Sequence, residues 1–336
     1  MEIKTNYPRK KLNTFALDVK ALFYAEISEI NQLSELYKDN PGVNKMIIGG
    51  GSNILFSKNY DGMLIRNMIK GIKIIFEDDE TVLIEAGAGE IWDDLVKYTV
   101  GKNYGGMENL SLIPGTVGAS PIQNIGAYGV EIKDIFKELK ALNIETGEVE
   151  TFSGENCRFG YRDSVFKKEF KNKYVITSVT YSLRKNRLVD IRYEALKNEL
   201  IATGIKDPTI KEVRDIVCRI RKSKLPDPEV LGNAGSFFKN PEISKEQFDL
   251  LKAKYSDIPG YRTEGDMMKI PAGWLIQKCG WKGKRLGQTG VYEKQALVLI
   301  NYGGATGREI VELSEAIKDS IKKEFGIILE TEVNII

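Results

Sequence analysis

Ser236 lies in a tight run of small residues, Gly232-Asn233-Ala234-Gly235-Ser236, directly before Phe237 and Phe238. Beside two aromatics its hydroxyl is shielded from water, although a lone serine is ordinarily structural. Arg162 sits between Tyr161 and Asp163 in CRFGYRDSVFK. A guanidinium among aromatic and apolar neighbours is often held by a carboxylate and presents a fork to a carboxylate or phosphate. Taken alone, a surface ion pair explains Arg162 more simply. Glu332 belongs to the alternating run IILETEVNII. With Leu329, Thr331 and Val333 inward, Glu330 and Glu332 face the other way, as exposed strand glutamates do by default. Arg221 and Lys224, in RKSKLPDP, have the charge to meet phosphates. The chain has no histidine, which excludes Ser-His-Asp triads, Cys-His dyads and HExxH zinc sites. Acid–base chemistry falls to Ser, Tyr, Lys, Cys, Asp or Glu, and no metal site is expected.

Two glycine clusters stand apart from these side chains. In IIGGGSNILF, Gly49, Gly50, Gly51, Ser52 and Asn53 follow a short apolar run. A glycine turn after a strand leaves backbone N–H groups bare, which suits a pyrophosphate. The spacing is neither G-x-G-x-x-G nor a P-loop, so by itself a plain turn is the better account. The second cluster, Asn109 to Gly129, is rich in glycine and proline, lacks charge and holds several small polar residues. Such backbone suits close approach to a large, flat, partly apolar ligand, and equally a buried structural loop.

The elements that must position these residues read as α+β. Lys45–Ile48 is a short strand, and residues 72–76 and 82–86 form a hairpin around EDDET. Residues 90–100 form a helix with Ile91, Trp92, Leu95 and Val96 on one face. Residues 141–152 are two strands joined at Thr146-Gly147, and 175–183 is another. Asp207-Pro208 opens a helix striped by Ile210, Val213, Ile216, Val217 and Ile220. Ser244–Gln247 and Thr306–Glu309 are capping boxes for two more, with Gly326 closing the last.

The 336 residues suffice for two or three packed units. With 49 basic and 47 acidic residues, net +2, no basic field points to nucleic acid. Cys157, Cys218 and Cys279 form no CxxC pair and read as reduced thiols. The N-terminus lacks the apolar core of a signal peptide, and no stretch is long enough for a membrane span. The expectation is a cytoplasmic monomer.

NTFAL, GGGSNILF, ENLSLIPGTVGASPIQNIGAYG, CRFGYRDSVFK, GNAGSFFKNP, PAGWLIQKCGWKG and QALVLIN, in this order, resemble the UDP-N-acetylenolpyruvoylglucosamine reductases, type I branch, from about Asn13 to the end. The resemblance implies an FAD-binding domain of vanillyl-alcohol-oxidase (PCMH) type over 1–187, with lobes of about 1–67 and 68–187. It implies a linker and substrate loop at 188–205, a C-terminal substrate domain at 206–326, and a strand at 327–336 returning to the first lobe. It places non-covalent FAD on Gly49, Gly50, Gly51, Ser52, Asn53, Ser111, Pro114, Gly115, Gly118, Ser120, Gln123, Asn124, Ala127 and Tyr128. It makes Arg162, Ser236 and Glu332 catalytic, and assigns Tyr193, Arg221, Lys224, Asn240 and Gln288 to the substrate. Thr331 replaces the family's usual proline beside the glutamate.

The implied reaction is NADPH-dependent reduction of UDP-N-acetyl-3-O-(1-carboxyvinyl)-glucosamine to UDP-N-acetylmuramate, a bacterial peptidoglycan precursor. Hydride passes from flavin N5 to C3, and Ser236 gives a proton to C2. Two alternatives stay open: an FAD-dependent alcohol or sugar oxidase of the same superfamily, and a non-catalytic sugar-nucleotide sensor.

Overall fold

The computed structural model describes residues 1–8, 12–185, 188–263 and 265–336. Residue 187, where the first domain was expected to end, lies outside the described residues. The chain divides into two compact units, each built from separated stretches.

The first unit comprises Met1–Tyr7, Ala21–Gly50 and Asp61–Lys222. Its four-stranded sheet runs Ile3–Pro8, Lys20–Ile27, Tyr60–Asn67, Lys45–Ile48, the last two parallel. Helix Ile30–Asp39 buries Leu33 and Leu36 in a cluster with Ala25, Ile27, Met63 and Ile65. A five-stranded antiparallel sheet runs Val149–Ser153, Phe136–Asn143, Tyr174–Arg184, Thr81–Gly87, Ile72–Glu77. Helix Trp92–Gly101 buries Trp92, Leu95 and Val96 in that core. Ile91, expected on the same face, is instead the half-exposed residue preceding the helix.

Two helices close this unit. Helix Ile210–Lys224 buries the expected stripe, but its cap is Thr209, whose hydroxyl accepts from the Glu212 amide at 3.2 Å, not Asp207. The stripe meets Leu196 and Leu200 of helix Glu194–Thr203, inside the segment expected to be a linker. Tyr128 packs against this two-helix cluster and Arg214 pairs with Asp93, so contacts join residues up to Lys222 to the first unit.

The second unit comprises Pro8–Lys20, Gly51–Tyr60 and Ser223–Ile336. Its antiparallel sheet runs Gly232–Ser236, Val298–Asn301, Thr289–Val291, Arg285–Leu286. Helix Gly307–Phe325 starts at the Thr306/Glu309 capping box, buries Ile310, Leu313, Ile317 and Ile321, and stops at Gly326 with φ 68°. Helix Lys245–Lys254 is capped by Ser244, which accepts from the Gln247 amide at 3.1 Å. The early segments join this unit through specific bonds. Asn233 N donates to Thr14 O at 2.9 Å, and Asn301 Nδ2 to Phe15 O at 2.8 Å. The Phe15 ring meets Phe237 edge-on at 6.3 Å.

The last residues are not one strand. Thr331 bridges Phe238 in isolation, and only Asn334–Ile335 forms a ladder, parallel to Ile54–Leu55. The tail first follows the segment after Ser236 and then turns to a different partner.

Candidate active site

Arg162 adopts a left-handed conformation, φ 54°, which sends its side chain back over the preceding loop. Its Nη2 donates to the Gly126 carbonyl at 2.6 Å, and its Nη1 lies 3.7 Å from Glu131. The guanidinium rests 5.2 Å from the Tyr161 ring centre. Asp163, its sequence neighbour, pairs instead with Lys168. Asn124 organises the surroundings: its amide donates to Glu131 at 3.1 Å and to the Gly160 carbonyl at 2.9 Å, and its carbonyl accepts from Lys133 N at 3.1 Å.

The uncharged loop 111–129 is held by its own bonds. Ser111 donates to Glu108 O at 2.6 Å; Ser120 donates to Val117 O at 2.7 Å and lies 2.9 Å from the Tyr181 hydroxyl. Ser111, Ser120 and Asn124 are buried, and their side chains bond the loop to its surroundings. The exposed or half-buried members are Pro114, Gly115, Gly118, Gln123, Ala127 and Tyr128. Gly118 packs on Ala88, where a Cβ would come 2.6 Å from the alanine methyl. Gly49 lies against Thr116, and a Cβ on Gly50 would stand 3.5 Å from Gly115 Cα. The Gly50 and Gly115 backbones therefore pack directly on one another, while the Thr116 side chain fills the space beside Gly49.

At the loop's far end the Tyr128 ring meets Tyr193 edge-on at 5.3 Å. Tyr193 is half-exposed and precedes helix Glu194–Thr203. Asn109 ties the two segments together, donating to Tyr128 O at 2.9 Å and to Asp190 O at 2.8 Å. Arg221 lies against Tyr128 with its Nε buried and without a hydrogen-bond partner among the described residues. Burial lowers the Arg221 pKa and raises that of the Tyr128 hydroxyl. Lys224, the last residue of the same helix, is exposed.

The second unit places Ser236 beside the tail. Asn233 accepts from Gly235 N at 2.9 Å, and its amide donates to Leu231 O at 2.8 Å and Pro226 O at 3.2 Å. With Gly235 at φ 68°, this folds a bulge into the strand just before Ser236. The half-buried Ser236 hydroxyl makes no hydrogen bond within the described residues. Glu332 N donates to Phe237 O at 2.8 Å, so Ser236 and Glu332 lie on neighbouring chain segments. Asn53 fastens the same place from the glycine turn: its amide donates to Glu332 O at 3.2 Å, and its carbonyl accepts from Asn334 N at 3.1 Å. Gly51 has φ 64°, and a Cβ there would overlap the Leu12 carbonyl; Ser52, next in the turn, is half-buried. Asn240 accepts from Ala272 N at 2.9 Å at the start of helix Ala272–Lys278. Gln288 is exposed in a turn, accepting from Arg285 at 3.3 Å.

Residues 227–336 match the family model "UDP-N-acetylenolpyruvoylglucosamine reductase, C-terminal domain", and 21–153 match "FAD binding domain". The UDP-N-acetylenolpyruvoylglucosamine reductase of Flavobacterium johnsoniae is 47% identical over 337 residues, covering 100% of both chains. This chain belongs to the UDP-N-acetylenolpyruvoylglucosamine reductase family. The reductase of Burkholderia ambifaria is 45% identical over 99% of this chain and 96% of its own. The crystal structure of UDP-N-acetylenolpyruvylglucosamine reductase from Thermus caldophilus superposes with a TM-score of 0.68 at 21% identity, over 99% of this chain and 98% of that one. The fold is thus α+β, an FAD-binding domain with the family's C-terminal domain.

The residues present fit FAD. The closely packed glycine backbones at 50 and 115 offer main-chain groups rather than bulky side chains, which suits close approach of a flat ring or a pyrophosphate. Loop 111–129 places no charged side chain there. Three residues that hold this loop and its surroundings were not singled out in the sequence: Glu131, beside Arg162, and the pair Asp93 and Arg214, which bond each other and Ser111. Asp93 reads as a surface residue in a helix's first turn, and Glu131 as one more acidic loop residue. For Arg214 the available signal was its seven-residue offset from Arg221, two turns along one helical face.

Proposed function

We propose that this chain catalyses NADPH-dependent reduction of UDP-N-acetyl-3-O-(1-carboxyvinyl)-glucosamine to UDP-N-acetylmuramate, a step in peptidoglycan precursor synthesis that bears on cell shape and division. FAD, when bound, would supply to C3 of the enol ether the hydride received from NADPH. The observation that carries the reading is the end-to-end likeness to the Flavobacterium johnsoniae reductase, with Ser236 and Glu332 on adjoining segments.

Gly49, Gly50, Gly51, Ser52, Asn53, Pro114, Gly115 and Gly118 would hold the cofactor, chiefly through main-chain groups. Gln123, Ala127 and Tyr128 would continue that surface, with Ser111, Ser120 and Asn124 shaping it from behind. Ser236 holds its hydroxyl proton for C2, where negative charge develops. Serine is a weak acid, so it donates only to the strongly basic carbon that exists once C3 has been reduced. Arg162 stabilises the charge spread onto the substrate carboxylate. Glu332 would have to be protonated or share a proton to assist, since a bare carboxylate would repel that charge.

Arg221 and Lys224 would meet phosphate or carboxylate oxygens, Tyr193 the diphosphate, and Asn240 and Gln288 outlying parts of the sugar nucleotide. No helix of the described residues is long and apolar enough to cross a membrane. We read the protein as a cytoplasmic monomer of a bacterium. In an anaerobic cuvette the purified protein is expected to be yellow, to bleach with NADPH, and to regain colour with the enolpyruvyl substrate. Colour that returns only with oxygen supports an oxidase, and colour unchanged by NADPH a sensor.

A further inference from the structure

A buried ion pair outside the proposed catalytic residues sits at the entrance to loop 111–129. Arg214, on helix Ile210–Lys224, donates from Nη1 to Asp93 Oδ1 at 2.9 Å and from Nη2 to Oδ2 at 3.1 Å. The same Nη1 donates to Ser111 Oγ at 2.8 Å. Asp93 Oδ1 also accepts from Leu112 N at 2.7 Å. Leu112 is left-handed, φ 56°, a conformation that L residues avoid unless held. The pair thus fixes the hydroxyl of Ser111 and the backbone of Leu112 together. Trp92 N then takes the Gly115 carbonyl at 3.1 Å, so the turn that begins at Ser111 sets where Pro114 and Gly115 lie.

Burial works against both charges, and the mutual fork outweighs it: the Asp93 pKa falls below the usual carboxylate value and that of Arg214 rises. Two turns further along the helix, Arg221 lies against Tyr128 at the other end of the loop. One helix therefore grips the loop at both ends, and it also carries Arg221 and Lys224.

We propose that Arg214 is a positioning residue. Through Asp93 and Ser111 it holds the loop in its cofactor-receiving shape and keeps it in register with the helix bearing Arg221 and Lys224. This rests on the FAD reading above. Arginine is required because a single lysine ammonium cannot hold both Asp93 oxygens as a two-nitrogen fork while also reaching Ser111 Oγ.

The test is a double-mutant cycle on FAD affinity, with Arg214→Lys, Ser111→Ala and the double variant. Apoprotein is titrated with FAD by quenching of flavin fluorescence, and its urea unfolding is followed separately. Each single variant is expected to raise the FAD Kd by about tenfold or more. The double variant should be no worse than either single, since both break one linkage. Arg214→Lys should leave the apoprotein's urea midpoint close to wild type. Unchanged Kd in either single variant, multiplying effects in the double, or a urea midpoint falling in step with affinity would each overturn the proposal. Wild type that binds no FAD defeats the cofactor reading itself, whereas wild type that binds with variants indistinguishable from it defeats only the role of Arg214.

Discussion

Replacing Arg162 with methionine separates what the guanidinium does for the fold from what it does for the reaction. Methionine keeps most of the apolar stem and removes the charge. The fold loses a charge-assisted bond to the Gly126 carbonyl, 2.6 Å long. Such a bond contributes about 1.5–3 kcal/mol. The ion pair to Glu131 at 3.7 Å is long and partly solvated, and adds at most about 1 kcal/mol. Glu131 is not stranded, because Asn124 at 3.1 Å and Lys133 at 3.3 Å remain. The left-handed backbone is equally unfavourable for either side chain. A loss of about 2–4 kcal/mol leaves a domain of ordinary stability largely folded at 25 °C. Loss of one donor to a developing anion slows the chemical step by ~10²–10³. Stopped-flow absorbance resolves the two halves. Bleaching by NADPH should stay within about twofold of wild type, while recovery with the enolpyruvyl substrate slows by the larger factor. Arg162→Lys, with charge but no fork, should fall between. Equal slowing of both halves, or a methionine variant as fast as wild type in the second, would refute the reasoning.

Further expectations concern the glycine turn, the buried pair and the helix end. Gly51→Ala combines a left-handed residue with overlap on Leu12 O, whereas Gly42 has φ 79° and nothing within 4 Å. The Gly42→Ala control should cost about 1–2 kcal/mol, and Gly51→Ala distinctly more by urea midpoint; equal costs would deny the close approach. Because the folded Asp93 pKa is depressed, its stabilisation is present above the unfolded value, near pH 4, and is lost as pH falls through the folded value. Asp93→Asn should therefore flatten part of the stability loss below about pH 4, and acid-unfolding curves of the same slope would contradict this. Lys224→Ala should raise the substrate KM with kcat little changed, and an unchanged KM would remove Lys224 from the site.

Much of this was legible before any coordinates. The hairpin at 72–87, the stripe Ile210–Ile220 and the Thr306/Glu309 cap follow from periodicities and caps that local physics dictates. The division into units was not. Nothing local in Asn13–Leu17 reveals that Thr14 and Phe15 are bonded to Asn233 and Asn301, far along the chain. Helix Glu194–Thr203 was missed because Leu196 and Leu200 form a stripe only when its partner helix is known. The site followed the same division. Motifs single out Ser236 and Arg162 as candidates, but Asn233 and Glu131, which lie beside them, are ordinary residues until folding brings them near. Ser111, Ser120 and Asn124 carry the polar chemistry expected at a cofactor, and burial turns it inward.

The central claim is that Ser236 delivers a proton only after hydride has reached the substrate, and the half-reactions of Ser236→Ala test it most directly. Flavin reduction by NADPH should proceed at the wild-type rate, while reoxidation by the enolpyruvyl substrate slows by ~10²–10⁴. Equal slowing of both half-reactions, or reoxidation at the wild-type rate, would contradict the account.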